Sequence, residues 1–203
     1  MRRLLASTSL TFMLAVAPVW AQVGNPAAMS PGTPQSQRGT PAPNQPNQQD
    51  RLFVQEAGIG GMAEVALGRL AEQRAQNAAI KDFGRHMVQD HGKANDQLAN
   101  LARAANIPVP QALDPEHRAI QEQLEKLSGG AFDLAYIRGQ VQEHQKTSLL
   151  LEWEVGSGQD AELQRFAAAT LPVVLDHLQE ARDLETQLTG QGPELVSQTP
   201  RRP

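Results

Sequence analysis

Residues 78–105 read AAIKDFGRHMVQDHGKANDQLANLARAA, and the spacing within them decides the fold. Ile80, Gly84, Met87, His91, Ala94, Leu98, Leu101 and Ala105 recur at alternating steps of four and three. That spacing lays them along one face of an α-helix, as the seam of a helical bundle requires. Asn106-Ile107-Pro108-Val109-Pro110 ends the pattern, because proline lacks an amide donor and restricts the residue before it.

The same spacing threads three further stretches. Residues 51–75 give Phe53, Ala57, Gly60, Glu64, Leu67 and Ala71, with Asp50 read as the N-cap. Residues 131–155 give Leu134, Ile137, Val141, His144, Ser148, Leu151 and Val155, closed by Gly156-Ser157-Gly158. Residues 160–188 give Leu163, Ala167, Thr170, Val174, His177, Ala181, Leu184 and Leu188, with Gly190 as the stop. Pro172 falls inside this last helix and is expected to bend it or cost one backbone bond. Asp114-Pro115 opens a short helix to about residue 127, ended by Ser128-Gly129-Gly130. The stretch from Asn106 to Gly130 is much longer than an antiparallel turn needs, and it can span the length of a bundle about 40 Å long. The expectation is an all-α four-helix bundle wound up-down-down-up, with a short extra helix in the crossover.

Composition supports this and excludes other classes. The chain has 203 residues, enough for one ordinary domain. Aromatic residues make up 4%, too few for a typical sandwich or barrel. There is no cysteine, which excludes disulfide scaffolds, thiolate metal sites and cysteine nucleophiles. A formal charge of -4 does not suit a nucleic-acid binder. Gly-rich phosphate loops, nucleophile elbows and zinc-protease helix motifs are absent.

The chain divides into four parts. Residues 1–21 read as a signal peptide: Arg2 and Arg3 precede a short apolar run from Leu10 to Ala17, and Ala21 suits a signal peptidase. The run is too short for a comfortable membrane span, and no later stretch approaches one. Export, most simply to a periplasm, is the expectation. Residues 22–50 hold six Pro and six Gln with almost nothing to bury, and read as a disordered linker. The bundle follows over 51–189, and 190–203 reads as a disordered tail.

Each long seam spends one position on an ionisable residue: Glu64, His91, His144 and His177. Counted from the helix ends, all four lie about 16–20 Å along their helices, near mid-height. Each histidine also closes a short echo, Val88-Gln89-Asp90-His91, Val141-Gln142-Glu143-His144 and Val174-Leu175-Asp176-His177. The acid before each histidine points about 100° away on the helix, where it can hydrogen-bond a ligand from a neighbouring helix or remain a solvated edge charge. Three imidazoles and a carboxylate at one level suit a single divalent metal such as zinc, copper or iron. They also suit a metal-free hydrogen-bonded core, since such groups cannot be left unpaired in an apolar interior at no cost.

Off the seams, His86 is read as a surface or rim residue and His117 as solvated. Asp133 and Tyr136 are read as capping and anchoring the third long helix, and Met62 and Met87 as core filler. Gly58, Gly60 and Gly61 are expected either to admit a close neighbour or to weaken the first turns.

Four markers carry a resemblance: Met62-Ala63-Glu64-Val65-Ala66-Leu67-Gly68-Arg69-Leu70-Ala71; Phe83 to His91; Phe132-Asp133-Leu134-Ala135-Tyr136-Ile137 with Glu143-His144-Gln145; and Leu171-Pro172 followed by His177-Leu178. Over about residues 51–188 the chain resembles the exported bacterial family of domain of unknown function 4142, which is considered ferritin-like. The resemblance implies an exported four-helix bundle and supplies no reaction. Ferritin-like di-iron sites use two Glu-x-x-His pairs. Here the residue three before each seam histidine is a valine, Val88, Val141 or Val174, so the bridging carboxylates are missing and a di-iron oxidase is not expected. Two functional readings stay open. One is a module holding one metal for metal handling or stress tolerance. The other is a metal-free structural or interaction module of the cell envelope, with an unknown protein partner.

Overall fold

The computed structural model describes residues 42–190, which form five helices: α1 (Gln48–Arg74), α2 (Ala78–Ala104), α3 (Pro115–Glu125), α4 (Gly129–Ser157) and α5 (Ala161–Thr189). The expected signal peptide, most of the linker and residues 191–203 lie outside the described residues. No described helix is long and apolar enough to cross a membrane.

The four long helices form a bundle in which α1 and α5 each pack against both α2 and α4. The start of α1 meets the end of α4, where the Asn47 side-chain amide donates to the Ser157 carbonyl at 2.9 Å. The end of α1 meets the start of α4, where Asp133 accepts from the Gln76 and Asn77 amides at 2.9 and 2.8 Å. Asp133 therefore anchors the turn between α1 and α2 rather than capping α4, whose N-cap is Ser128. The connection from α2 to α4 runs along α1. Gln55 donates to the Pro108 carbonyl, and farther on Arg74 donates to the Glu125 carbonyl at 2.6 Å.

The first helix begins earlier than expected. Asn47 is its N-cap, accepting from the Asp50 amide at 3.0 Å, and Asp50 is the N3 residue that answers the Asn47 amide. This is a capping box, in which the acid three residues on serves the cap. Residues 42–50 are accordingly part of the domain and not linker. Ala42 exchanges backbone hydrogen bonds with the loop before α5, donating to Gln159 at 3.1 Å and accepting from Ala161 at 3.2 Å. A stretch rich in Pro, Gln and Asn looks like linker because turns and caps draw on the same residues.

Helix approach is tightest between α1 and α2. A Cβ placed on Gly68 would lie 2.7 Å from the Gly84 carbonyl oxygen, and one on Gly84 would lie 2.8 Å from that of Gly68. Only glycine permits this contact on either side. Of the three glycines expected to matter near the start of α1, a Cβ on Gly58 would lie 3.1 Å from Pro110 Cδ and one on Gly61 would run into the Asn95 side chain, whereas Gly60 has open space.

The apolar core comes in two pieces. One gathers Leu67, Phe83, Met87, Phe132, Tyr136, Ile137 and Leu184; the other gathers Phe53, Leu98, Leu151, Leu163, Phe166 and Val174. Between them along the bundle lies a buried polar layer.

Candidate metal centre

That layer is built by one residue from each long helix. Glu64 of α1, His91 of α2, His144 of α4 and His177 of α5 are 4%, 8%, 1% and 6% exposed. The 3-4 seam places each side chain inward, and their similar distance along their helices brings them to one level. The three imidazole centroids form a nearly equilateral triangle, with edges of 5.5 Å (His91–His144), 5.6 Å (His91–His177) and 5.5 Å (His144–His177). Each histidine offers one ring nitrogen, and these nitrogens lie within 4.8 Å of one another.

Hydrogen bonds fix which nitrogen faces inward on two of the rings. His144 Nδ1 donates to the Gln140 carbonyl at 3.0 Å, which leaves Nε2 as the lone-pair nitrogen. His177 Nε2 donates to Asp90 Oδ2 at 3.2 Å, which leaves Nδ1. His144 Nε2, His177 Nδ1 and His91 Nε2 are all buried, and none has a hydrogen-bond partner. Burial pulls His91 down to about 3, with His144 and His177 adding to the effect. Burial pulls His144 down to about 4, against the opposing Gln140 carbonyl. His177 is also lowered, first by burial and then by His144, with Asp90 opposing. All three rings are therefore neutral at pH 7, the form a metal requires.

Glu64 stands beside this triad rather than within it. Its Oε2 accepts from the Gln140 side-chain amide at 2.8 Å, and its Oε1 lies 3.7 Å from His144 Nδ1. Burial raises its carboxyl to about 7, against the opposing Gln140 bond. Gln140 is a site residue that the seam did not include. It is 1% exposed and links Glu64 to His144 through its side chain and its carbonyl. Its position four residues before a seam histidine, on the same helix face, is the signal that would have found it. The acids of the three-fold echo do different things. Asp90 reaches His177 on the neighbouring helix, Glu143 reaches His117 of α3, and Asp176 has no such partner among the described contacts.

His117 is not solvated as expected. Its side chain is 14% exposed, with Nδ1 2.7 Å from Asp114 and Nε2 3.8 Å from Glu143. These carboxylates, Glu143 foremost, hold it up at about 9 despite partial burial, so it is a cation that pins α3 to α4. His86 is half exposed, as a rim residue should be, with Glu180 at 3.8 Å. Tyr136 is buried with its hydroxyl unpartnered, stacked on Phe132.

The two sides of the triad differ. Phe83 lies against His144 and His177, with centroids 6.5 and 6.4 Å away. Away from it, a small, partly open cavity of about 40 Å³ is lined by Ala57, Gly60, Glu64, His91, Thr147 and Thr170, among others. An open groove of about 290 Å³ between α2 and α5 is lined by Asp90, His91, Lys93, Gln97, Ala169 and His177. His91, Ala94, Thr170 and Val174 line both spaces.

A family model described as a domain of unknown function, DUF4142, matches residues 35–184. The chain belongs to the DUF4142 family. The match begins upstream of α1, in agreement with residues 42–47 belonging to the folded part. No curated protein matches the chain. Among solved structures, this DUF4142 chain is similar to a crystal structure of a DUF305 fragment from Deinococcus radiodurans, with a TM-score of 0.61 and 16% identity. The likeness covers 74% of this chain and 99% of that one, and at this identity it shows the shared helical fold alone.

Proposed function

We propose that this DUF4142 protein is an exported, ferritin-like helical bundle that holds one divalent transition metal through His91, His144 and His177, in metal handling or stress tolerance. The observation that carries this is the set of three buried imidazole nitrogens, one per ring, with no hydrogen-bond partner. A purely structural polar core would be expected to satisfy them, because an unpartnered buried polar atom costs about 1–3 kcal/mol. The spacing supports a single ion. The centre of a triangle with edges of 5.5–5.6 Å lies about 3.2 Å from each centroid. A metal about 2.0–2.1 Å from an imidazole nitrogen lies at nearly the same distance from that ring's centre. The rings thus need to turn rather than move. Asp90 and the Gln140 carbonyl act as the outer hydrogen-bond partners that orient ligating histidines, and Glu64 is a nearby carboxylate held by Gln140.

The contacts at both ends of α1 and α4 support the up-down-down-up course, in which α2 and α4 run parallel. Export rests on the reading of residues 1–21. The valines at 88, 141 and 174 argue against a di-iron oxidase, and no enzymatic reaction is proposed.

The test is direct titration of chelator-treated protein with zinc, copper and iron, read by calorimetry and by metal content after gel filtration. One equivalent should bind. His144→Ala should lower the affinity at least about a hundredfold while circular dichroism stays helical. Wild-type protein that takes up no metal would leave the metal-free polar core as the reading.

A further inference from the structure

We infer that the metal held by the triad keeps one coordination position for a small exogenous ligand of two or three atoms, seated in the small cavity beside Glu64. The inference rests on the three-histidine reading above and goes beyond it by assigning the ligand's place and size. Three protein ligands with an open position are the arrangement of metal sites that bind or activate a small molecule, whereas structural sites are closed by four. Here the three histidines come from three helices, and the fourth helix supplies Glu64, whose Oε2 is held by Gln140 and whose Oε1 lies 3.7 Å from the outer nitrogen of His144.

The surroundings decide where the open position points. Phe83 blocks approach along the rings of His144 and His177. The small cavity reaches the triad at His91, and Thr147, three residues beyond His144, and Val174, three before His177, also line it. At about 40 Å³, against about 290 Å³ for the groove between α2 and α5, it is the tighter of the two spaces and favours a ligand of few atoms. Glu64, Asn95, Thr147 and Thr170 provide polar atoms on an otherwise apolar wall, enough to orient a water, hydroxide or linear triatomic anion. The groove between α2 and α5 is the competing location, since it also touches His91 and His177. It is wide and open, so a ligand held there would not be selected by size.

The two locations can be separated because each has an alanine the other lacks: Ala57 lines only the cavity and Ala169 only the groove. The experiment loads the full domain with cobalt(II) and titrates azide, following the visible absorption of the ion. Azide should change the spectrum of wild-type protein, and Ala57→Leu should weaken azide binding at least about tenfold while still taking up one cobalt. Ala169→Leu should leave azide affinity within about twofold. Ala57→Val, a smaller insertion, keeps the test open if the leucine variant does not fold. Wild-type protein alone adds a size test, since pyridine is too large for the cavity and should leave the spectrum unchanged. Cobalt bound with no response to azide, azide lost in Ala169→Leu but not in Ala57→Leu, or a pyridine response would each overturn the inference and leave the metal site standing. Failure to bind cobalt at all would instead remove the metal reading on which it rests.

Discussion

At one end of the bundle Asp50, Glu154 and Asp160 are buried together, 0%, 0% and 1% exposed; at mid-height His91, His144, His177 and Glu64 are buried to a similar degree. The first group lies where helices begin and end, so free backbone amides are within reach. Asp50 accepts from the amides of Gln159 and Asp160, both at 3.0 Å, and from that of Asn47. Asp160 caps α5 by accepting from the Glu162 and Leu163 amides at 2.9 and 3.1 Å. The second group lies in the middle of four helices whose amides are already spent within the helices. Its members can turn only to one another, to Gln140 or to Asp90, and three nitrogens find no donor or acceptor. For Asp50 and the capping oxygen of Asp160 the helix-end cluster has a structural explanation in the chain itself, while the other Asp160 oxygen and both Glu154 oxygens, which lack a partner, are relieved by a held proton. The same degree of burial at mid-helix, with orphaned lone pairs, calls for something the chain does not supply.

The largest effect should come from breaking the first cluster. Asp50→Ala removes the acceptor for three backbone amides and one half of the capping box, and should cost about 3–5 kcal/mol of stability. A thermal melt should show this as a fall of roughly 6–20 °C for a domain of this size. One equivalent of metal should still bind well below the melting temperature, because the triad lies elsewhere. If Asp50→Ala abolished metal uptake in a folded protein, the two clusters would not be separate in role.

Glu154 sharpens the comparison from the other direction. Neither of its oxygens meets an N–H donor, and burial, then the neighbouring Asp50 and Asp160, raise its carboxyl to about 9. At neutral pH it is therefore protonated beside Asp50. Unfolded, it would ionise near 4.5, so between about 4.5 and 9 the folded chain holds a proton that the unfolded chain releases. Stability from this group therefore falls as pH rises through that window. Glu154→Gln keeps the donor and removes the titration. It should stabilise the domain by about 2–4 kcal/mol at pH 8, with the gain shrinking towards zero near pH 4.5. A gain independent of pH would show that the carboxyl is not held protonated.

The bundle itself was legible because the 3-4 spacing persists through four stretches, and only an inward face keeps such a pattern. The level of the four ionisable residues could be counted from helix ends for the same reason. What spacing could not supply is lateral detail. Whether Glu64 enters the triad or stands beside it depends on Gln140, which reaches across from α4 and lies off the counted seam. The contact between Gly68 and Gly84 needed both helices at once, since Gly68 alone is an ordinary glycine in a helix. His117 looked solvated because its carboxylate neighbour Glu143 is distant in sequence. The start of α1 was hidden because Asn47, Gln48 and Gln49 have the composition of a linker and the geometry of a first turn.

The smallest of the expected effects concerns acid. Folded, His91 and His144 stay neutral down to about 3 and 4, and His177 is lowered too. Unfolded, each takes up a proton near 6.5. Below that pH the unfolded chain binds more protons, so the stability of the metal-free domain falls as pH drops, by up to about 1.4 kcal/mol per unit for each histidine. Glu64 works the other way. Its folded value of about 7 exceeds its unfolded one, so it favours the folded state as pH falls from 7 towards 4.5 and offsets roughly one histidine. The net effect of the layer is a loss. His144→Asn removes one of the three acid-sensitive groups and should reduce the stability lost between pH 6.5 and 5 by about 1–2 kcal/mol. Urea melts at the two pH values measure it. The clasp at the end of the bundle predicts the opposite trend, since Glu154 favours the folded state as pH falls. Combining His144→Asn with Glu154→Gln should therefore flatten both limbs of the pH profile independently, because the two clusters lie at different levels and share no partner. An unchanged acid limb in His144→Asn would mean that His144 takes up its proton as readily folded as unfolded, and that burial does not hold its ring neutral in acid.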